Sequence, residues 1–241
     1  MNNTIKELIE RKSMRVFTGQ KISTEDKRLI LEATVNAPTA GNQQLYTIID
    51  VTSQELKEKL VDTCDHQPFI AQADMVLIFC ADCKKWYEGF KDAGAEPRKP
   101  GQGDLMLAVT DAAIAAQNAV VAAQSLGIGS CYIGDIMENY EQQKALLKLP
   151  EYVFPAAMLV FGYPTQQQID RLKPERAPME CIVSENAYPE MNTEYLRKLF
   201  AGKANPAGYE SGMLAFCNRK FNSDFSREMT RSVKQYLKEF E

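Results

Sequence analysis

Histidine is almost missing from this chain: His66 stands alone in 241 residues. With one imidazole, a Ser-His-Asp triad or a histidine-based proton relay has a single candidate, and a centre needing several histidines is excluded. Thirteen glycines and eleven prolines are too few for a fibrous or low-complexity chain. Neither sign of charge dominates. The 28 Lys and Arg against 32 Asp and Glu leave a net charge of −4, which offers no general attraction to nucleic-acid phosphates or anionic lipid. The densest apolar run, Met75 to Ala81, is far shorter than the ~20 residues of a membrane span, so no membrane association is expected. The first residues are polar and carry Glu7 and Glu10, unlike a secretory leader, and a cytoplasmic location is expected. Six cysteines, at 64, 80, 83, 131, 181 and 217, are spread thinly and read as reduced thiols.

What is present is globular: 45% hydrophobic and 25% charged residues, enough for one sizeable core. The capping-box spacing Thr4 to Glu7 predicts a short helix to about Glu10, and Ser23 to Asp26 starts a second that Ala37-Pro38 ends. A turn follows over Pro38-Thr-Ala-Gly-Asn42. Strands are expected at Tyr46–Thr52, Met75–Ala81 and Ala156–Phe161, and helices at Gln54–Cys64 and Tyr140–Leu149. Leu105–Leu126 is an Ala-rich helix, apolar almost all round, which requires burial in the core or against another subunit. Residues 84–103 combine four glycines, two prolines and eight charges, the composition of a loop or lid. Phe225, Met229, Val233, Tyr236 and Phe240 mark a last amphipathic helix.

Few residues offer obvious chemistry. His66 reads as a structural or surface residue. Cys80-Ala-Asp-Cys83 has redox and zinc spacing, and with Cys64 and His66 would notionally make a zinc set. It ends a buried strand and has no second pair, so these cysteines read as structural thiols and no metal is expected. The dinucleotide fingerprint is absent, since Gly127 to Gly134 reads Gly-x-Gly-x-x-x-x-Gly and follows a helix. That segment is either a helix cap or a place where backbone approaches a flat ligand. Arg11-Lys-Ser-Met-Arg15 places three cations and a hydroxyl in five residues, a set able to fork onto a phosphate, or else a solvated face. Lys173 and Arg176 form a second basic pair in a Pro-rich loop.

The order of these pieces resembles the FMN-dependent nitroreductase family. The residues that carry it are Arg11-x-Ser13-x-Arg15-x-Phe17, Ala37-Pro-Thr-Ala-Gly-Asn42-Gln-Gln44, Cys64-Asp-His-Gln67-Pro-Phe69, Ser125-Leu-Gly-Ile-Gly129-Ser-Cys-Tyr-Ile-Gly134, Phe161-Gly-Tyr-Pro164, and Lys173 with Arg176. Within the family the chain looks most like the oxygen-insensitive NADPH nitroreductase and flavin reductase branch, to which Asn218-Arg-Lys-Phe221 is also similar. The resemblance implies an α+β nitroreductase-like fold: a central mixed β-sheet flanked by helices, in an intertwined homodimer. It implies one FMN-binding domain over residues 1–241, with a lid at 84–103 and a C-terminal helical segment at 213–241.

Tightly held, non-covalent FMN would take hydride at N5 from a transient NAD(P)H. It would pass electrons by a ping-pong route to nitroaromatic, quinone or flavin acceptors, with no catalytic side chain. By match, Arg11, Lys12, Ser13 and Arg15 would hold the phosphate and ribityl chain, and Gln67 and Phe69 would edge the ring. Ile128, Gly129 and Ser130 would approach through backbone, and Thr39 and Asn42 would reach in from the other subunit. Lys173 and Arg176 would lie near the flavin. Glu175 interrupts the Lys-Pro-Arg of the branch, so the family position falls to either Lys173 or Arg176. Ser130 stands where the branch has glycine. Two alternatives stay open: a specialised flavin reaction such as dehalogenation or flavin fragmentation, and a flavin-free dimeric binding protein.

Overall fold

The most apolar segment of the chain forms the centre of the sheet. In the computed structural model, which describes residues 1–241, every residue of β2 (Met75–Asp82) is buried, as a strand covered on both faces must be. It lies between β1 (Tyr46–Asp50) and β4 (Val153–Gly162), and β3 (Gly129–Ile133) closes the order β1-β2-β4-β3. All three pairings are antiparallel, which corrects the expectation of a mixed sheet. The one parallel contact is a single bridge from Ser13 to Ser130, where the chain after α1 (Asn3–Glu10) runs along the free edge of β3. A bridge of one residue leaves that segment short of a strand.

The Ala-rich helix, α6 (Gln102–Ser125), lies over this sheet and against α2 (Thr24–Val35). Its stripe Ala108, Ala112, Ala115, Ala116, Ala119 and Ala123 is fully buried, small side chains letting helix and sheet approach closely. Although no unbroken apolar run reaches the length of a membrane span, α6 as a whole is long and apolar enough to cross a membrane by length and composition. Its packing accounts for it as a core helix. The other sheet face carries α3 (Gln54–Thr63), α4 (Phe69–Gln72), α7 (Tyr140–Leu146) and the C-terminal part of α11 (Asp224–Leu237). There Tyr140, Phe154 and Tyr236 meet edge to face at 4.6 and 5.0 Å.

Local starts and stops mostly follow the expected chemistry. Ser23 accepts the Asp26 N–H at 2.9 Å to open α2, and Ser53 caps α3. Helix α1 is opened instead by Asn2, whose Oδ1 takes the Ile5 N–H at 3.0 Å, so the Thr4–Glu7 capping box is not used. Two elements differ from the sequence expectation. Lys84–Asp92 is a helix, α5, because Trp86, Tyr87 and Phe90 form an aromatic face despite Gly89 and the flanking charges; only 93–101 is irregular. Gly129–Ile133, within the segment read as a helix cap or a place for a flat ligand, is a strand.

Two compact units emerge, residues 1–171 with 228–241 and residues 172–227. The first contains the sheet, α1 to α7 and α8 (Gln166–Asp170). The second contains α9 (Thr193–Leu199), α10 (Tyr209–Lys220) and the first residues of α11. Its fixed point is Gly212, where a Cβ would come within 2.0 Å of the Lys203 carbonyl oxygen. Tyr195 Oη donates to the Cys181 carbonyl at 2.7 Å, and the Lys203 ammonium lies 4.6 Å from the Phe216 ring centre.

Candidate functional site

Segment 11–17 is anchored to β3 at several points. The Met14 N–H donates to the Ser130 carbonyl at 2.9 Å beside the Ser13–Ser130 bridge. A Cβ on Gly129 would stand 2.6 Å from Met14 Cγ, so glycine there is what lets the segment lie against the strand. Arg171 Nη2 donates to the Ser13 carbonyl at 2.5 Å, and Gln168 Oε1 accepts the Arg15 N–H at 3.2 Å. Lys12 is committed elsewhere, its ammonium donating to the carbonyls of Ile169 and Arg171. Arg11 packs beside Val120, Val121 and Gln124 of α6, with its guanidinium 6.0 Å from the Tyr132 ring centre. Arg15 is exposed, and its guanidinium makes no hydrogen bond or ion pair within the chain. The structure thus brings Arg11, Ser13 and Arg15 to Ile128, Gly129 and Ser130. A guanidinium free to fork, beside a hydroxyl and an edge strand, suits a phosphate ester.

Gln67 and Phe69 follow a strained turn. Asp65 and His66 both have positive φ, 57° and 50°, a costly backbone for residues with a Cβ. Side chains from a distant segment brace it: Asn139 Nδ2 donates to the Thr63 carbonyl at 2.9 Å and Gln143 Nε2 to Thr63 Oγ1 at 3.0 Å. Gln67 Nε2 donates to the Cys64 carbonyl at 3.0 Å and to Asp135 Oδ2 at 2.9 Å, while Phe69 is buried. Asp135 lies in the 3-10 turn Gly134–Met137 directly after β3. His66 itself is 80% exposed along its side chain.

Thr39 and Asn42 sit on a turn whose position depends on a residue that sequence reading missed. Asp111, 2% exposed within α6, accepts the Ala40 N–H at 2.9 Å and the Leu45 N–H at 3.1 Å, one through each carboxylate oxygen. Ten residues of helix separate Asp111 from the Val121 that Arg11 packs against, about 15 Å along α6. Within one chain, then, Thr39 and Asn42 are anchored well away from the Arg11–Arg15 segment. The aromatic face of α5 and the stretch 95–100 wall a cavity of about 430 Å³ that reaches Gln43 beside this turn. Trp86 Nε1 donates to the Gln43 carbonyl at 2.6 Å.

Lys173 and Arg176 belong to the second unit. There Arg176 lines a cavity of about 450 Å³ together with Lys198 and Lys203. Burial pushes the thiols of Cys64, Cys80 and Cys83 up to about 12, so they stay protonated and unreactive at neutral pH.

The family model described as the nitroreductase family matches residues 8–163, from α1 through the end of β4. The chain belongs to the nitroreductase family. Among nitroreductase relatives, an FMN reductase (NAD(P)H) of Bacillus subtilis is 32% identical over 98% of this chain and 91% of its own length. The oxygen-insensitive NADPH nitroreductase of Salmonella typhimurium is 35% identical over 82% of this chain and 80% of its own. A solved structure, the NfrA1 nitroreductase from B. subtilis, superposes with a TM-score of 0.83 at 26% identity, covering 98% of both chains. The nitroreductase match ends before Lys173 and Arg176, and it includes every other position at which a cofactor contact is expected.

Proposed function

We propose that this chain is an FMN-dependent oxidoreductase that takes hydride from NAD(P)H and reduces small acceptors such as nitroaromatics, quinones or free flavin. The observation that carries the reading is the seating of segment 11–15 on β3. It puts the unengaged Arg15 guanidinium, the Ser13 hydroxyl and Arg11 beside the backbone of Ile128, Gly129 and Ser130. That donor set fits the phosphate and the start of the ribityl chain. Bound FMN supplies the acceptance and release of two electrons, which explains a chain with one histidine and no reactive thiol among Cys64, Cys80 and Cys83.

The chain's own residues bind and orient. Arg11, Ser13 and Arg15 hold the phosphate, and Gln67 and Phe69 edge the ring. Lys12, tied to two carbonyls, supports the segment rather than touching the ligand. Thr39 and Asn42 complete the site from a second copy, a role in keeping with their anchoring on Asp111. The homodimer is part of the proposal. In one chain, Ile5, Leu8 and Ile9 of α1 are 45 to 56% exposed, as are Met106 and Leu107 of α6 at 60 and 51%. Two such helices left apolar at the surface call for a partner copy. Lys173 and Arg176 add positive charge for the anionic parts of FMN or NAD(P)H, 84–103 closes over the pocket, and the enzyme works in the cytoplasm.

The test is direct. The purified protein should release FMN on heating, and refilling of the apoprotein should be weakened about 10- to 100-fold by Arg15→Ala, the loss of one charge-assisted fork of about 1.5 to 3 kcal/mol. Apoprotein that takes up no FMN refutes the reading.

A further inference from the structure

Gln67 has both of its amide hydrogens taken. They go to the Cys64 carbonyl and to Asp135 Oδ2, two acceptors, so the amide cannot be turned over without losing both bonds. What remains is Oε1, which accepts nothing within the chain. Behind Asp135 stands Glu138, 6% exposed, its N–H donated to the Asp135 carbonyl at 3.0 Å and its side-chain Oε1 buried and unpartnered. Two carboxyls brought together by one tight turn, one of them buried, do not both ionise without a cost.

We propose that Asp135 and Glu138 are positioning residues for the flavin site. A proton held between the two carboxyls fixes Asp135, Asp135 fixes the Gln67 amide, and Gln67 thereby presents a carbonyl oxygen to an N–H donor on the flavin ring. The inference rests on the reading of Gln67 as a ring-edge residue. It adds the polarity of that contact and the residues that set it.

Burial, first, and then the charges of Asp135, Asp65 and Glu228 push the Glu138 carboxyl up to about 8. These charges face it from the 3-10 turn after β3, from the turn before α4 and from α11, where Glu228 is itself paired with Arg231. The Cys64 thiol, held protonated by burial, also faces it, from the end of α3. At pH 7 Glu138 is neutral and donates to the Asp135 carboxylate. As the pH passes through about 8 it loses that proton, Asp135 loses its donor and gains a like charge, and the hold on Gln67 loosens.

The test is titration of apoprotein with FMN, followed by flavin fluorescence, on both sides of pH 8. Wild-type affinity should fall as the pH passes that point. Glu138→Gln and Asp135→Asn each supply a permanent N–H donor between positions 135 and 138, so both should bind within about threefold of wild type at pH 7 and lose the fall. Asp135→Ala should weaken binding roughly 3- to 10-fold at pH 7, the worth of about one hydrogen bond. In a Gln67→Ala background it should add nothing, which a merely structural role would not produce. An Asp135→Ala protein that binds as wild type, or that costs as much without Gln67, overturns the proposal. So does a pH step that survives Glu138→Gln, and this arm decides if Asp135→Ala fails to fold. Weakening by Arg15→Ala alone leaves the FMN reading standing and removes this one. Wild-type apoprotein that takes up no FMN removes both.

Discussion

Asp111→Asn replaces one oxygen by an NH2 group and should unfasten a turn about seventy residues away. The wild-type carboxylate, buried in α6, accepts the Ala40 and Leu45 N–H groups through separate oxygens. Asparagine keeps one oxygen and points an NH2 group at the other donor. One charge-assisted bond of about 1.5 to 3 kcal/mol is lost, and a buried N–H is left facing another donor at about 1 kcal/mol or more. Together these should destabilise the turn by about 2 to 4 kcal/mol, an appreciable share of the ~5 to 15 kcal/mol of a whole domain. Urea unfolding measures the global part. Hydrogen exchange measures the local part, where one of the two amides, Ala40 or Leu45, should exchange roughly 30- to 1,000-fold faster. Because the same turn carries Thr39 and Asn42, flavin affinity should fall with it. If both amides keep wild-type protection and stability moves by less than about 0.5 kcal/mol, Asp111 does not hold the turn and the reasoning fails.

Two further outcomes follow from burial. A thiol-disulfide reagent at neutral pH should find one fast cysteine of six, since Cys217 is exposed and the other five are buried; rapid labelling of Cys80 or Cys83 would contradict this. Glu138 binds a proton in the folded chain up to about pH 8, against 4.5 for a free carboxyl. Its contribution to stability is therefore fully present below about 4.5, is lost as pH rises through the folded value and is flat beyond it. Glu138→Gln should remove that slope from unfolding curves taken across the window.

The elements read most directly from the sequence are those whose signal is local. Met75–Asp82 is an unbroken apolar run, and the alanines of α6 repeat at helical spacing. Gly129–Ile133 was not legible as a strand because Gly129 serves two purposes: it makes room for Met14 and it pairs with Gly162. Helix α5 was hidden by glycine and charge that outweigh its three aromatics. In the site, Arg11, Ser13 and Arg15 were visible as a cluster, and the order of motifs identified the family. Asp111 and Asp135 were not visible, because their bonds join residues 71 and 68 positions apart and leave no spacing to notice. Lys12 looked equivalent to its neighbours in sequence; only the structure shows its ammonium spent on the carbonyls of Ile169 and Arg171.

The account is tested most directly by adding NADPH without oxygen to the flavin-loaded protein and watching the visible flavin band. The band should bleach with one equivalent of NADPH per site and return when a quinone or nitroaromatic is added afterwards. A band that stays unchanged, in protein shown to contain FMN, would contradict the assignment as an NAD(P)H-driven flavin oxidoreductase.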